Sequence, residues 1–183
     1  MRLVANFLLF QATWFACVLG GAHGMPWLGP LAVALFVALH LGRAPRPAAE
    51  VRLLAGAALT GALFDSLLAA SGWLAYPSGQ WHPALAPYWI VAMWVGFAAT
   101  LNLSLGWLKG RPYLALLFGS VGGPLAYLAG AKLGGVTFVE PTAALLALAV
   151  GWGLITPLLM RLAERFDGWR PNPNGRLLAA ATE

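Results

Sequence analysis

Charge is what this sequence has least of. Only 9% of its 183 residues are Asp, Glu, Lys or Arg, where a soluble domain carries about a quarter. Hydrophobic residues make up 60% and the mean hydropathy is +0.75, so the composition is that of a membrane protein. Cysteine is almost missing as well: Cys17 stands alone, which excludes an internal disulfide and leaves a small packing residue in an apolar run. The usual signatures of catalysis are also missing. There is no P-loop, GxSxG, CxxC or HExxH pattern, and "GSVGGP" lies inside an apolar run instead of between a strand and a helix.

What the chain does have is apolar length. Six segments run at about 3–21, 27–42, 52–75, 86–108, 112–131 and 137–160 when read with a window of about 20 residues. They are separated by Gly, Pro or charge, as in "GRAPRPAAEVR", "YPSGQWHPALAP" and "KGRP". Strands fit poorly, because the runs are long and do not alternate. Helices satisfy their own backbone groups in lipid. The sequence therefore predicts an all-α polytopic transmembrane bundle of about six helices. It would form one domain over 1–162, followed by a short basic cytoplasmic tail over 163–183.

The basic residues predict orientation. Ten of the 11 lie at the N-terminus, in the second and fourth loops and in the tail; only Lys132 lies in an odd-numbered loop. By the positive-inside rule both termini are cytoplasmic. The same distribution explains the net charge of +5 and a pI near 10.0 without nucleic acid as a partner. The first segment resembles a signal peptide in having Arg2 before an apolar run. Asn6, Gln11 and Trp14 within it, and no clear small-x-small site after it, predict insertion without cleavage. Aromatics such as Trp27, Trp81 and Tyr88 mark the outer boundary, and Trp107, Tyr113 and Trp169 the inner one. Trp14, Trp94 and Trp152 fall nearer mid-membrane, where they would pack in the bundle or line a cavity.

Small residues indicate how the helices pack. Ala115, Gly119, Gly122 or Gly123, Ala126 and Gly130 form one stripe in the fifth segment, ahead of and beyond Pro124. In the third segment Ala57, Gly61, Asp65 and Gly72 form another, which turns Asp65 inward. Asp65 lies 13 positions after Arg52, roughly 20 Å along a helix, in the outer half of a core about 30 Å thick. An aspartate at the membrane centre costs about 2.5–3.5 kcal/mol, so it must be paired, protonated or wetted. It is the candidate catalytic residue, with a hydrogen-bonded structural acid as the equal alternative.

Asn6, Gln11, Trp14, Trp94, Asn102 and Ser104 are the candidate cavity or binding residues, interhelical hydrogen bonding being the competing role for the polar ones. Glu140, just before Pro141, is a further candidate, although a carboxylate at a helix start is explained by the helix dipole. Glu50, Glu164, Asp167 and Glu183 read as solvated charges, and His40 as interfacial. His23 and His82 sit in outer loops without metal-ligand spacing, so no metal and no cofactor is expected.

Four blocks together carry a resemblance: "NFLLFQATWFACVLGGA" (6–22), "FDSLL" (64–68), "PYWIVAMWVGFAATLNLSLGWL" (87–108) and "GSVGGPLAYLAGAKLGG" (119–135). With them the chain resembles an uncharacterised bacterial family of small inner-membrane proteins, a domain of unknown function. The resemblance implies a multi-pass protein of the bacterial inner membrane. Its members are often met beside genes for cyclopropane-fatty-acid-synthase-like enzymes, which implies a link to membrane-lipid modification or envelope stress. Membrane lipid is then the expected partner. A small-solute transporter is the alternative. An assembly subunit, pairing with another membrane protein or with itself through small-residue faces, is the third reading.

Overall fold

The computed structural model describes residues 2–170. Six helices are present: α1 (Arg2–Ala22), α2 (Leu28–Leu41), α3 (Pro47–Ala70), α4 (Tyr88–Leu101), α5 (Pro112–Lys132) and α6 (Pro141–Arg165). Punctuation set by sequence explains most of the boundaries. Pro47, Pro112 and Pro141 each occupy the first helical turn, where a missing N–H costs nothing and a fixed φ helps. Gly72 and Gly134 follow α3 and α5 at φ +73° and +83°, the left-handed stop that glycine adopts without strain.

Four helices, α1, α3, α5 and α6, are long and apolar enough to cross a membrane. The other two have 14 residues each, short of the roughly 20 needed to span alone. The fourth apolar segment is where the sequence reading and the structure part. Its helix stops at Leu101, and the N–H groups of Leu103 and Leu105 turn back onto the Thr100 carbonyl. Ser104 therefore lies beyond the end of α4, and a short 3-10 turn follows at Gly106–Leu108. A second difference is a two-residue antiparallel pairing, Leu74–Ala75 with Thr137–Phe138, which ties the end of α3 to the start of α6. The long-run argument against strands holds for the spans and not for these connectors.

Helix α4 is the hub. It packs on α1, α2, α3 and α6, and nine of its 14 residues are buried. Length is unnecessary for a helix enclosed by longer ones. Around it, α5 pairs most extensively with α6. The small-residue stripe of α5 is used there: side chains added at Gly119 or Gly123 would run into Trp152 of α6. The α3 stripe is used against α4, with Ala57, Gly61 and Asp65 buried but Gly72 exposed beyond the helix end. A methyl group on Gly61 would overlap the Trp94 indole. Gly61→Ala is accordingly expected to lower stability by about 1–3 kcal/mol through overpacking, read as a lower melting temperature of the detergent-solubilised protein.

The chain beyond α6 does not simply leave the bundle. Asp167 and Gly168 are buried, and the Arg46 N–H donates to the Gly168 carbonyl at 2.9 Å. The remainder of the expected tail, 171–183, lies outside the described residues.

Candidate functional site

Two buried carboxylates stand on one stripe of α3, 15 residues and roughly 22 Å apart along the axis. Both Asp65 and Glu50 are 0% exposed. Asp65 meets α4 and α5: Trp94 Nε1 donates to Oδ2 at 2.6 Å, and the Tyr127 hydroxyl donates to Oδ1. Two directed donors replace the water that the carboxylate lost, which is how a buried acid is tolerated. The arrangement is also mechanical. It fixes the Trp94 ring, which stacks on Trp152 of α6 at a centroid distance of 4.3 Å, and it anchors α5 to a helix it otherwise scarcely touches.

That attachment leaves a space. Since α5 is held chiefly by α6, a crevice of about 430 Å³ remains among α1, α4, α5 and α6. Phe10 and Trp14 of α1, Met93 and Trp94 of α4, Tyr127 of α5 and Trp152 of α6 form its walls. Gly122 faces it, and a Cβ built there meets nothing within 4 Å. Asp65 does not line the crevice; its two donors do. The half-buried Gln11 adds an amide to the wall, and Trp152 Nε1 is buried without a hydrogen-bond partner among the described residues. Such a wall is chemically suited to an apolar, chain-like ligand with few polar points to fix its position.

The other sequence candidates are placed elsewhere. Asn6 bridges α1 to the end of α4: its Nδ2 donates to the Ala99 carbonyl at 3.1 Å, and its Oδ1 accepts from Ser104 Oγ at 2.7 Å. Asn102 donates from Nδ2 to Glu50 Oε1 at 2.6 Å and to the Phe166 carbonyl at 3.2 Å. Glu140 is exposed at the start of α6 and makes no side-chain capping bond. His23 and His82 are exposed and bond only to nearby backbone. No cluster of three or more His, Cys, Asp or Glu side chains able to hold a metal occurs among the described residues.

Glu50, His40 and Asp167 overturn their expected roles as surface or interfacial groups. His40 Nε2 lies 2.7 Å from Glu50 Oε2, and the Gly168 N–H donates to Glu50 Oε1 at 2.8 Å. Glu50 Oε1 thus accepts from both Asn102 and Gly168, while Oε2 is shared with His40 Nε2. Beside this knot, Asp167 accepts from Lys109 Nζ at 2.7 Å and lies 3.1 Å from Arg170 Nε. Partial burial acts to raise its pKa, but the Lys109 and Arg170 charges and the Trp169 N–H outweigh it and hold the carboxyl below the ordinary aspartate value. A signal for Glu50 was present in the sequence: it precedes Ala57 by two helical turns and so shares the stripe of Gly61 and Asp65. Trp152 carried a weaker signal, as a mid-membrane tryptophan expected to pack in the bundle or line a cavity; Tyr127 carried none, since aromatics on apolar helices are ordinarily core.

Comparison with curated proteins and with solved structures finds no match. A match does come from a protein family, over residues 3–158, and it takes in α1 to α5, most of α6, the crevice and both buried carboxylates of α3. The chain belongs to the family described as "Protein of unknown function (DUF2878)".

Proposed function

We propose that this protein binds a lipid-like chain in the crevice among α1, α4, α5 and α6, and that it acts in membrane-lipid modification as a binding partner or carrier. The observation that carries this reading is the crevice wall. Its volume of about 430 Å³ lies within the roughly 300–1,000 Å³ of small-molecule sites, and its lining is aromatic, aliphatic and glycine with only isolated polar atoms. An acyl or isoprenoid-like chain entering between α1 and α5 would exchange lipid contacts for aromatic ones, with Gln11 and Trp152 Nε1 as its polar contacts. Asp65 serves as the strut that aims Tyr127 and Trp94 at the crevice. Its two donors give it a structural task between α3, α4 and α5, and it does not line the crevice, so the transport reading gains no support from it.

Gly122→Phe tests this reading, because it fills the crevice from an open position. Stability is expected to change by no more than about 0.5 kcal/mol, as for a substitution that disturbs no packed contact. The lipid retained through purification, counted by native mass spectrometry, is expected to fall several-fold. Unchanged retention would refute crevice binding and would favour the assembly role through outward apolar faces.

A further inference from the structure

A second concavity, of about 870 Å³, opens on the opposite part of α1 and is independent of the crevice. Its floor is apolar, from Val4, Leu8 and Leu9 of α1 and from Phe36 and Leu39 of α2. Most of these side chains are exposed, which on a spanning helix means that they face lipid. At its rim are the guanidinium groups of Arg2 and Arg43, both exposed. Arginines at such a level follow from topology alone and would carry no inference by themselves.

Two further lining residues differ from these. His40 joins the wall from α2 and Trp169 from the segment after α6, with their rings 5.4 Å apart. The His40 side chain is 1% exposed, and its Nε2 is committed to Glu50. Its Nδ1, together with Trp169 Nε1, is buried with no hydrogen-bond partner among the described residues. Two unpartnered polar atoms, carried by residues that line an arginine-rimmed cleft, are costly unless water or a ligand meets them. The indole N–H can only donate, so the group it awaits is an acceptor. Two guanidinium groups above it select an anion, with the fork geometry that matches phosphate oxygens.

We propose that this concavity is a phosphate-binding site, formed by Arg2, Arg43, His40 Nδ1 and Trp169 Nε1, that seats the phosphate head group of a membrane lipid whose chains lie along α1 and α2. One phosphate oxygen accepts the Trp169 N–H and the guanidinium groups take the others. His40 Nδ1 bonds a further oxygen of the phosphate. Glu50 fixes the ring through Nε2, the arrangement by which a carboxylate orients a ligand-binding histidine.

The full chain in neutral maltoside micelles provides the test, with melting temperature followed against added dioctanoyl phosphatidic acid, dioctanoylglycerol or inorganic phosphate. Phosphatidic acid is expected to stabilise the protein at concentrations at least about tenfold below those needed for dioctanoylglycerol. Arg43→Gln, at an exposed position, and Trp169→Phe, which keeps the ring and loses the N–H, are each expected to raise the apparent Kd for phosphatidic acid about tenfold, the equivalent of one charge-assisted hydrogen bond. Stabilisation by phosphatidic acid without an effect of inorganic phosphate identifies the lipid head group as the source. An equal effect of inorganic phosphate keeps the anion site and overturns the lipid assignment. Equal stabilisation by dioctanoylglycerol, or wild-type affinity in both variants, would overturn the site altogether.

Discussion

Replacing Glu50 by alanine is expected to lower stability by about 3–5 kcal/mol, the range for breaking a buried ionic partnership from one side. The carboxylate is 0% exposed and satisfies the His40 ring, the Asn102 amide and the Gly168 N–H together. Those groups belong to the end of α2, the end of α4 and the chain after α6, so one truncation strands donors on three elements at once. Gln at position 50 would keep the shape and one acceptor oxygen for Asn102 and Gly168, and would lose only the charge-assisted bond to His40. Its expected cost is smaller, about 1.5–3 kcal/mol. Melting of the two variants in the same detergent checks the order. An alanine variant as stable as the wild type would mean that the Glu50 knot does not hold these ends together.

Asp65→Asn is the second large effect, and it separates a strut from an acid–base group. The aspartate accepts from both Trp94 and Tyr127. Asparagine has one acceptor oxygen, so its amide N–H would face one of the two donors and leave it unpaired. A loss of about 1–3 kcal/mol follows for the unpaired donor. Tyr127 and Trp94 line the crevice, and lipid retention is expected to fall together with stability. Were Asp65 instead a proton donor or acceptor in lipid chemistry, the variant would keep its melting temperature and its bound lipid while losing only the chemical conversion. Measuring melting, retained lipid and the lipid profile of complemented cells on the same variant distinguishes the two roles.

The contrast between Asp65 and Glu50 shows which parts of this molecule the sequence made legible. Long apolar runs predicted six helices, with ends within one residue for α1, α2 and α5 but displaced by four to five residues for α3 and α6 and by seven at the end of α4. The cost of an acid in lipid marked Asp65 as a residue needing a partner. Neither partner was identifiable, because Trp94 and Tyr127 sit on other helices and pairwise packing leaves no trace in a single segment's periodicity. Glu50 was misread because proximity to arginines was taken as exposure. Its place on the α3 stripe was the better guide, since the fold of the chain around it removes water whatever the local charge density. The stop of α4 at Leu101 was likewise hidden: residues 102–108 are apolar enough to continue a helix, and what ends it is the demand of Asn102 for Glu50 and of Ser104 for Asn6.

Photocrosslinking with a phospholipid that carries a diazirine near the middle of one acyl chain tests crevice binding most directly. In vesicles containing the wild-type protein, adducts mapped by mass spectrometry are expected on Met93 and on residues 122–127, the crevice-lining parts of α4 and α5. Gly122→Phe should abolish those adducts while labelling of outward residues such as Leu59 and Leu63, both exposed, continues. Adducts confined to the outward faces in the wild type, or crevice adducts that persist in Gly122→Phe, would contradict the account.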